Sequence, residues 1–205
     1  MPKIKTIIFD FGAVFIDLKK QYAHNKALAL FEVEELPKNI ISHNTLYEQG
    51  LITTAEFLGF YTQQFPMLSE EKIIKNWNSI LGDFPEKRLQ FIKKLASEEK
   101  YKLILLSNTN DLHISWIIKH IAFYEEFKNQ FDAFYLSHEI KLRKPNAAIY
   151  EFVLNENNLI ANECLFIDDT KENTDAAAKL GIHVWNLDET EEDIIDLFTI
   201  NTKLF

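Results

Sequence analysis

The feature that most limits what this chain can fold into is a set of short apolar runs through which no polar residue alternates. They are Thr6-Ile7-Ile8-Phe9, Leu103-Ile104-Leu105-Leu106, Ala133-Phe134-Tyr135-Leu136, Leu165-Phe166-Ile167 and His183-Val184-Trp185. A strand with one face in water alternates; a strand without alternation must be covered on both faces, which is the condition of a parallel sheet. Helix-period segments lie between the runs. Leu89, Ile92 and Leu95 share one face, as do Ile149, Phe152 and Val153, and the segment from Asn173 to Leu180 stops at Gly181, a residue suited to the turn past a helix C-terminus. The βαβα order predicts an α/β fold with a doubly wound, Rossmann-like parallel sheet. With 205 residues, the chain can bury one such core plus a modest insertion.

The rhythm breaks once. Residues 18–84 carry helix-like segments rich in Tyr, Phe and Trp and no buried strand, which predicts an all-helical cap inserted after the first strand, with 1–17 and 85–205 as the core domain. Within the insertion Thr53 and Glu56 have capping-box spacing and start a helix carrying Phe57, Phe60 and Tyr61. Tyr22, His24, His43, Tyr47, Glu48 and Trp77 are available to face an entrance, but aromatic residues at helical spacing are usually core, so the pattern selects none of them.

Charge narrows the partners. Lys and Arg number 22 against 31 Asp and Glu, a formal balance of −9 that opposes attraction to nucleic acid and to anionic lipid, so neither is expected as a partner. The N-terminus runs directly into the first apolar segment without a signal-peptide pattern, and no stretch is of membrane length, so a cytoplasmic protein is expected, a monomer or weak homodimer. The single cysteine, Cys164, lies inside an apolar run and reads as a buried small hydrophobe.

The polar residues collect at strand ends. Asp10-Phe11-Gly12 follows the first strand, Ser107-Asn108-Thr109-Asn110 the second and Asp168-Asp169 the fourth, while Arg143-Lys144-Pro145 follows the third and opens a helix near Asn146. In an open α/β sheet these ends share one rim, where ligands bind. Taken singly, each cluster is a turn, a cap or a solvated charge. Taken together they make one chemistry. Asp10, Asp168 and Asp169 would repel one another unless a cation sat among them, and a hard oxygen-ligated ion such as magnesium suits a site completed by phosphate. Ser107 and Asn108 offer a hydroxyl, an amide and backbone N–H groups to phosphate oxygens, and Lys144 supplies positive charge.

These strings resemble those of the haloacid dehalogenase superfamily over nearly the whole chain. Ile7-Ile8-Phe9-Asp10 is similar to the first motif of that family, which implies that Asp10 is the nucleophile and forms an aspartyl-phosphate. Ser107-Asn108 resembles the second, phosphate-binding motif, and Lys144-Pro145 the third, whose lysine steadies nucleophile and phosphoryl group. Phe166-Ile167-Asp168-Asp169 resembles the fourth, which implies metal ligation by Asp169 foremost and by Asp168 directly or through water. The insertion resembles the small cap of the branch holding sugar-phosphate phosphatases and the amino-terminal phosphatase domain of soluble epoxide hydrolases. Ser107-Asn108-Thr109-Asn110-Asp111-Leu112-His113 is most similar to the bacterial glucose-1-phosphate phosphatase group. The resemblance implies a magnesium-dependent phosphatase acting on a small phosphorylated metabolite, a sugar phosphate first.

One position departs from the pattern. Most phosphatases of the superfamily carry a second aspartate, the acid for the leaving group, two residues after the nucleophile; this chain has Gly12. Glycine retains the backbone carbonyl that binds magnesium there but cannot donate a proton, a loss worth about 10²–10⁴ in rate. His113, or else Asp17, Asp111 or water, is expected to supply it. Two other readings stand beside the phosphatase. A metal-independent haloacid dehalogenase also lacks the second aspartate, but the Asp168-Asp169 pair would repel its attacking carboxylate. A non-catalytic phosphate-ligand binding protein would use the aromatic insertion as an interaction surface.

Overall fold

The computed structural model describes residues 4–205. Five parallel strands form one sheet: β1 Thr6–Phe9, β2 Lys102–Ser107, β3 Ala133–Leu136, β4 Cys164–Asp168 and β5 His183–Asn186, in the order β3-β2-β1-β4-β5. Strand β1 is central, and Phe9 pairs with Leu105 on one side and Ile167 on the other. The next residues, Asp10, Leu106 and Asp168, therefore emerge at one edge. The chain runs outward from β1 in both directions, which makes that edge the switch point of the sheet.

Both faces are covered, as the absence of alternation requires. Ile7, Phe9, Leu103, Leu105, Leu165 and Ile167 point into one buried cluster, and Ile8, Ile104, Leu106 and Phe166 into the other. Each such side chain contributes about 1.5–3 kcal/mol by leaving water. The covering helices are α5 Glu86–Ser97, α6 Asp111–His120, α7 Tyr124–Lys128, α8 Ser137–Ile140, α9 Ala147–Glu156, α10 Lys171–Ala178 and α11 Leu197–Ile200; they follow α1 Lys20–Phe31, α2 Lys38–Glu48, α3 Thr54–Gln64 and α4 Glu70–Trp77, which make up the insertion. Gly181, at φ +84°, closes the turn after α10. Pro145 lies one residue outside α9 rather than at its start, because Asn146 is the cap, its side chain accepting from Ala148 N at 3.1 Å.

The four insertion helices close over their own core of Phe31, Ile40, Tyr47, Phe57, Leu58, Tyr61 and Ile73. Helix α3 begins with the expected capping box: Thr53 Oγ1 accepts from Glu56 N, and Glu56 Oε2 accepts from Thr53 N at 2.7 Å. The two chain crossings into this unit pair with each other. Lys19 N donates to Ile80 O at 2.7 Å and Gly82 N to Asp17 O at 2.8 Å; a Cβ on Gly82 would lie 2.7 Å from that carbonyl, so the crossing requires glycine.

The cap is docked on the core. Arg143 Nε donates to Glu48 Oε2 and Leu112 N to Tyr47 Oη, at 2.7 and 3.2 Å. Ser137 Oγ lies 2.5 Å from Glu48 O, and Trp77 Nε1 donates to Asn110 Oδ1 at 3.0 Å. Gly50, at φ +63°, sits where a Cβ would come within 1.9 Å of His138 O. No helix among the described residues is long and apolar enough to cross a membrane.

Candidate active site

Asp10 follows the central strand and is buried at the switch point. Lys144, which is fully enclosed, reaches it from the loop before α9: its Nζ lies 2.8 Å from Asp10 Oδ1, an ion contact without hydrogen-bond alignment, and donates to Asp168 Oδ2 at 2.7 Å and Leu106 O at 2.8 Å. Burial works against the charge on Lys144, but the Asp10 and Asp168 carboxylates outweigh it and hold the ammonium above its ordinary pKa. Burial pushes Asp10 the other way for a carboxylic acid, up to about 7, with Lys144 opposing the shift and Asp168 adding to it.

Asp168 has no lone pair to spare for a direct ion contact at its present geometry. Its Oδ1 accepts from Thr170 N at 2.8 Å and Asn173 Nδ2 at 3.0 Å, and its Oδ2 from Lys144 Nζ and from Asn173 Nδ2 at 3.1 Å. What it holds in this arrangement is Lys144. Asp169 is different: among the described residues its Oδ2 meets only Lys20 Nζ, at 2.5 Å, from the first residue of α1, and that ammonium also meets Glu189 Oε1 at 2.7 Å. Burial raises the Asp169 pKa even with Lys20 beside it.

One carboxylate oxygen from each of Asp10, Asp168 and Asp169 lies within 4.8 Å of the other two. Three acidic groups this close, two of them with pKa values raised by burial, fit a divalent cation. Asp10 and Asp169 have the oxygens best placed for it.

The Ser107-Asn108-Thr109-Asn110 string divides its labour. Ser107 ends β2, buried, with its hydroxyl in no hydrogen bond among the described residues. Asn108 was expected to bind phosphate through its amide; instead that amide clamps the Lys144 backbone, Nδ2 donating to Lys144 O and Oδ1 accepting from Lys144 N, both at 3.0 Å. Only its backbone is left for an anion. Thr109 N donates to Ser137 Oγ at 2.9 Å, and Asn110 caps α6.

His113 is corrected as a proton donor. Its Nε2 donates to Trp77 O at 3.3 Å and its Nδ1 accepts from Asn110 Nδ2 at 3.1 Å, while the ring stacks on Trp77; burial holds its pKa down to about 4, so at neutral pH it has no spare proton. Asp17 is tied to Arg88 Nη1 at 2.7 Å, and Asp111 faces His138 at 3.3 Å. Gly12 leaves room that Leu18 fills: a Cβ there would lie 2.9 Å from Leu18 Cδ1. Lys20, Thr170 and Asn173 escaped the sequence reading, as did Asn76 in the cap.

Residues 4–181 match the family described as haloacid dehalogenase-like hydrolase. A curated relative from Bacteroides thetaiotaomicron, named D-ribitol-5-phosphate phosphatase, is 29% identical over 192 residues, covering 89% of this chain and 91% of its own. A haloacid dehalogenase family enzyme of the same organism, solved as a magnesium complex, is 35% identical with a TM-score of 0.83, over 95% of this chain and 98% of that one. A haloacid dehalogenase-like hydrolase from Porphyromonas gingivalis is 25% identical with a TM-score of 0.80, over 98% of both chains.

Proposed function

Because the chain belongs to the haloacid dehalogenase-like hydrolases, we propose that it is a magnesium-dependent phosphatase that removes phosphate from a small sugar or sugar-alcohol phosphate by way of an aspartyl-phosphate on Asp10. The observation that carries the reading is the placement of the Asp10 carboxylate between the Lys144 ammonium, 2.8 Å away, and an Asp169 oxygen within the reach of one ion.

Asp10 and Asp169, with the Gly12 carbonyl, are the proposed holders of magnesium, which supplies charge neutralisation for the attacking carboxylate and the phosphoryl oxygens. Lys144, held by Asp168 and by the Asn108 amide, balances the other side of the phosphoryl group. The Ser107 hydroxyl and the backbone of Asn108 bind the remaining oxygens. Asp10 attacks phosphorus, the P–O bond to the alcohol breaks and its electron pair goes to the leaving oxygen. With Gly12 in place of an acid, and His113, Asp17 and Asp111 otherwise engaged, water protonates that oxygen. A second water then cleaves the acyl phosphate and frees Asp10.

The curated relative is named for D-ribitol 5-phosphate rather than for a glucose phosphate. It supports a small polyhydroxylated substrate without favouring the glucose-1-phosphate group. Phosphate release over a metabolite panel, with and without magnesium, tests the proposal. Turnover should require the metal and fall at least 10³-fold in Asp10→Asn, by the magnitudes seen when a nucleophile is removed. Full activity in Asp10→Asn would overturn the mechanism.

A further inference from the structure

The cap encloses a cavity of about 280 Å³ that opens beside the catalytic carboxylates: Lys20, whose ammonium touches Asp169, forms part of its wall with His24, Glu48, Asn76, Trp77 and His113. The rest of the wall is apolar except for Asn44 and Tyr61, which bond to each other, Tyr61 Oη donating to Asn44 Oδ1 at 2.7 Å. Pockets for drug-sized ligands span about 300–1,000 Å³, so this one lies at the small end and suits a short chain.

Two features of the wall specify what the chain must be. Asn76 on α4 is more than nine-tenths buried, and its Oδ1 has no hydrogen-bond partner among the described residues, while its backbone carbonyl accepts from Ser79 Oγ at 2.6 Å and from Asn78 N. A buried amide left unpaired costs stability, and such a group persists where a ligand completes it. The second feature is charge. Among the described residues, Lys20 is the only lysine or arginine on the wall, and it is already shared between Asp169 and Glu189, while the Glu48 carboxylate lines the cavity with Arg143 as its partner. Among the described residues no lysine or arginine of the wall is left unpaired to receive a second anionic group.

We propose that this cavity is the subsite for the carbon chain of the substrate, that it takes a short, uncharged, hydroxyl-bearing chain, and that the Asn76 amide binds one of its hydroxyls. The inference rests on the phosphatase reading above and deepens it. It makes Asn76 a specificity-determining residue and excludes phosphorylated acids and bisphosphates from efficient turnover.

The test compares three substrates, ribitol 5-phosphate, the acid-ended ribonate 5-phosphate and p-nitrophenyl phosphate, in wild type, Asn76→Ala and Asn76→Leu. Wild type should prefer the neutral chain to the acid-ended one at least tenfold in kcat/KM. Both variants should lose at least tenfold more kcat/KM on ribitol 5-phosphate than on the aryl ester, with the loss mainly in KM. Equal losses on both esters by folded variants, or equal turnover of the two chains by wild type, overturn the inference while leaving the phosphatase reading in place. Should the variants fail to fold, the wild-type comparison decides alone. Absence of turnover by wild type on all three would remove both readings.

Discussion

The Lys20 ammonium lies 2.5 Å from Asp169 Oδ2, so the first residue of a cap helix reaches into the core and neutralises the carboxylate proposed above as a metal ligand. An ammonium and a divalent ion cannot both hold that oxygen at full strength, so metal loading weakens the Lys20–Asp169 contact while Glu189 still holds the ammonium.

Lys20→Met should therefore tighten magnesium binding. A partly exposed ion pair is worth up to about 1 kcal/mol, or roughly fivefold in affinity. Titration calorimetry on the phosphate-free protein measures it, with Lys20→Arg expected to behave as wild type. Weaker binding in Lys20→Met would show that the ammonium supports the metal rather than competing with it.

Lys144 makes the opposite kind of pair. It is fully buried between Asp10 and Asp168, and removing one partner from such an arrangement leaves uncompensated charge at a cost of about 3–5 kcal/mol. Lys144→Met should lose about that much stability in urea unfolding and all measurable phosphate release. Adding magnesium should restore part of the stability, since it neutralises the same carboxylates; no recovery would argue against a metal at this position.

Stability should also fall with acid through His113. Its folded pKa, about 4, lies below the ordinary 6.5, so the unfolded chain binds the extra proton between those values and stability drops as pH falls from 6.5 towards 4. Between pH 7 and 5 this amounts to up to about 2 kcal/mol by linkage. Denaturant unfolding of wild type and His113→Gln at both pH values checks it: the acid loss should be smaller in the variant by that amount, and an identical loss would clear His113 of the effect.

The sheet was legible because burial on both faces leaves an unbroken apolar run. Thr6–Phe9 and Ala133–Leu136 match their strands, and the other three grow by end residues, Cys164 and the polar Lys102, Ser107, Asp168 and Asn186, the polar ones joining the ladder without an apolar signal. Asp10, Lys144 and Asp169 could be proposed as one site from the sequence because each is fixed relative to a strand end or to a proline. The Asn108 amide was expected at phosphate and instead bonds the Lys144 backbone, because the residue type does not say which of the two it faces. Lys20 could not be found at all. It is a lysine in an ordinary helix start, and its partner Asp169 lies 149 positions away. Asn76 is hidden similarly, because the sequence does not say which polar side chain of a helix faces an enclosed space.

The last prediction concerns the absent acid. A Cβ at Gly12 would approach Leu18 Cδ1 to 2.9 Å, so Leu18 fills the space that an acidic side chain would need. Gly12→Asp alone should gain little, because the leucine must give way first. Combined with Leu18→Ala, the aspartate has room, and turnover of an alkyl phosphate should rise at least tenfold over Leu18→Ala alone, the low end for a positioned general acid being about 10². An aryl phosphate, whose leaving group needs no proton, should show little change. A parallel rise on both esters would mean that the new carboxylate acts on the metal or on water and not on the leaving oxygen.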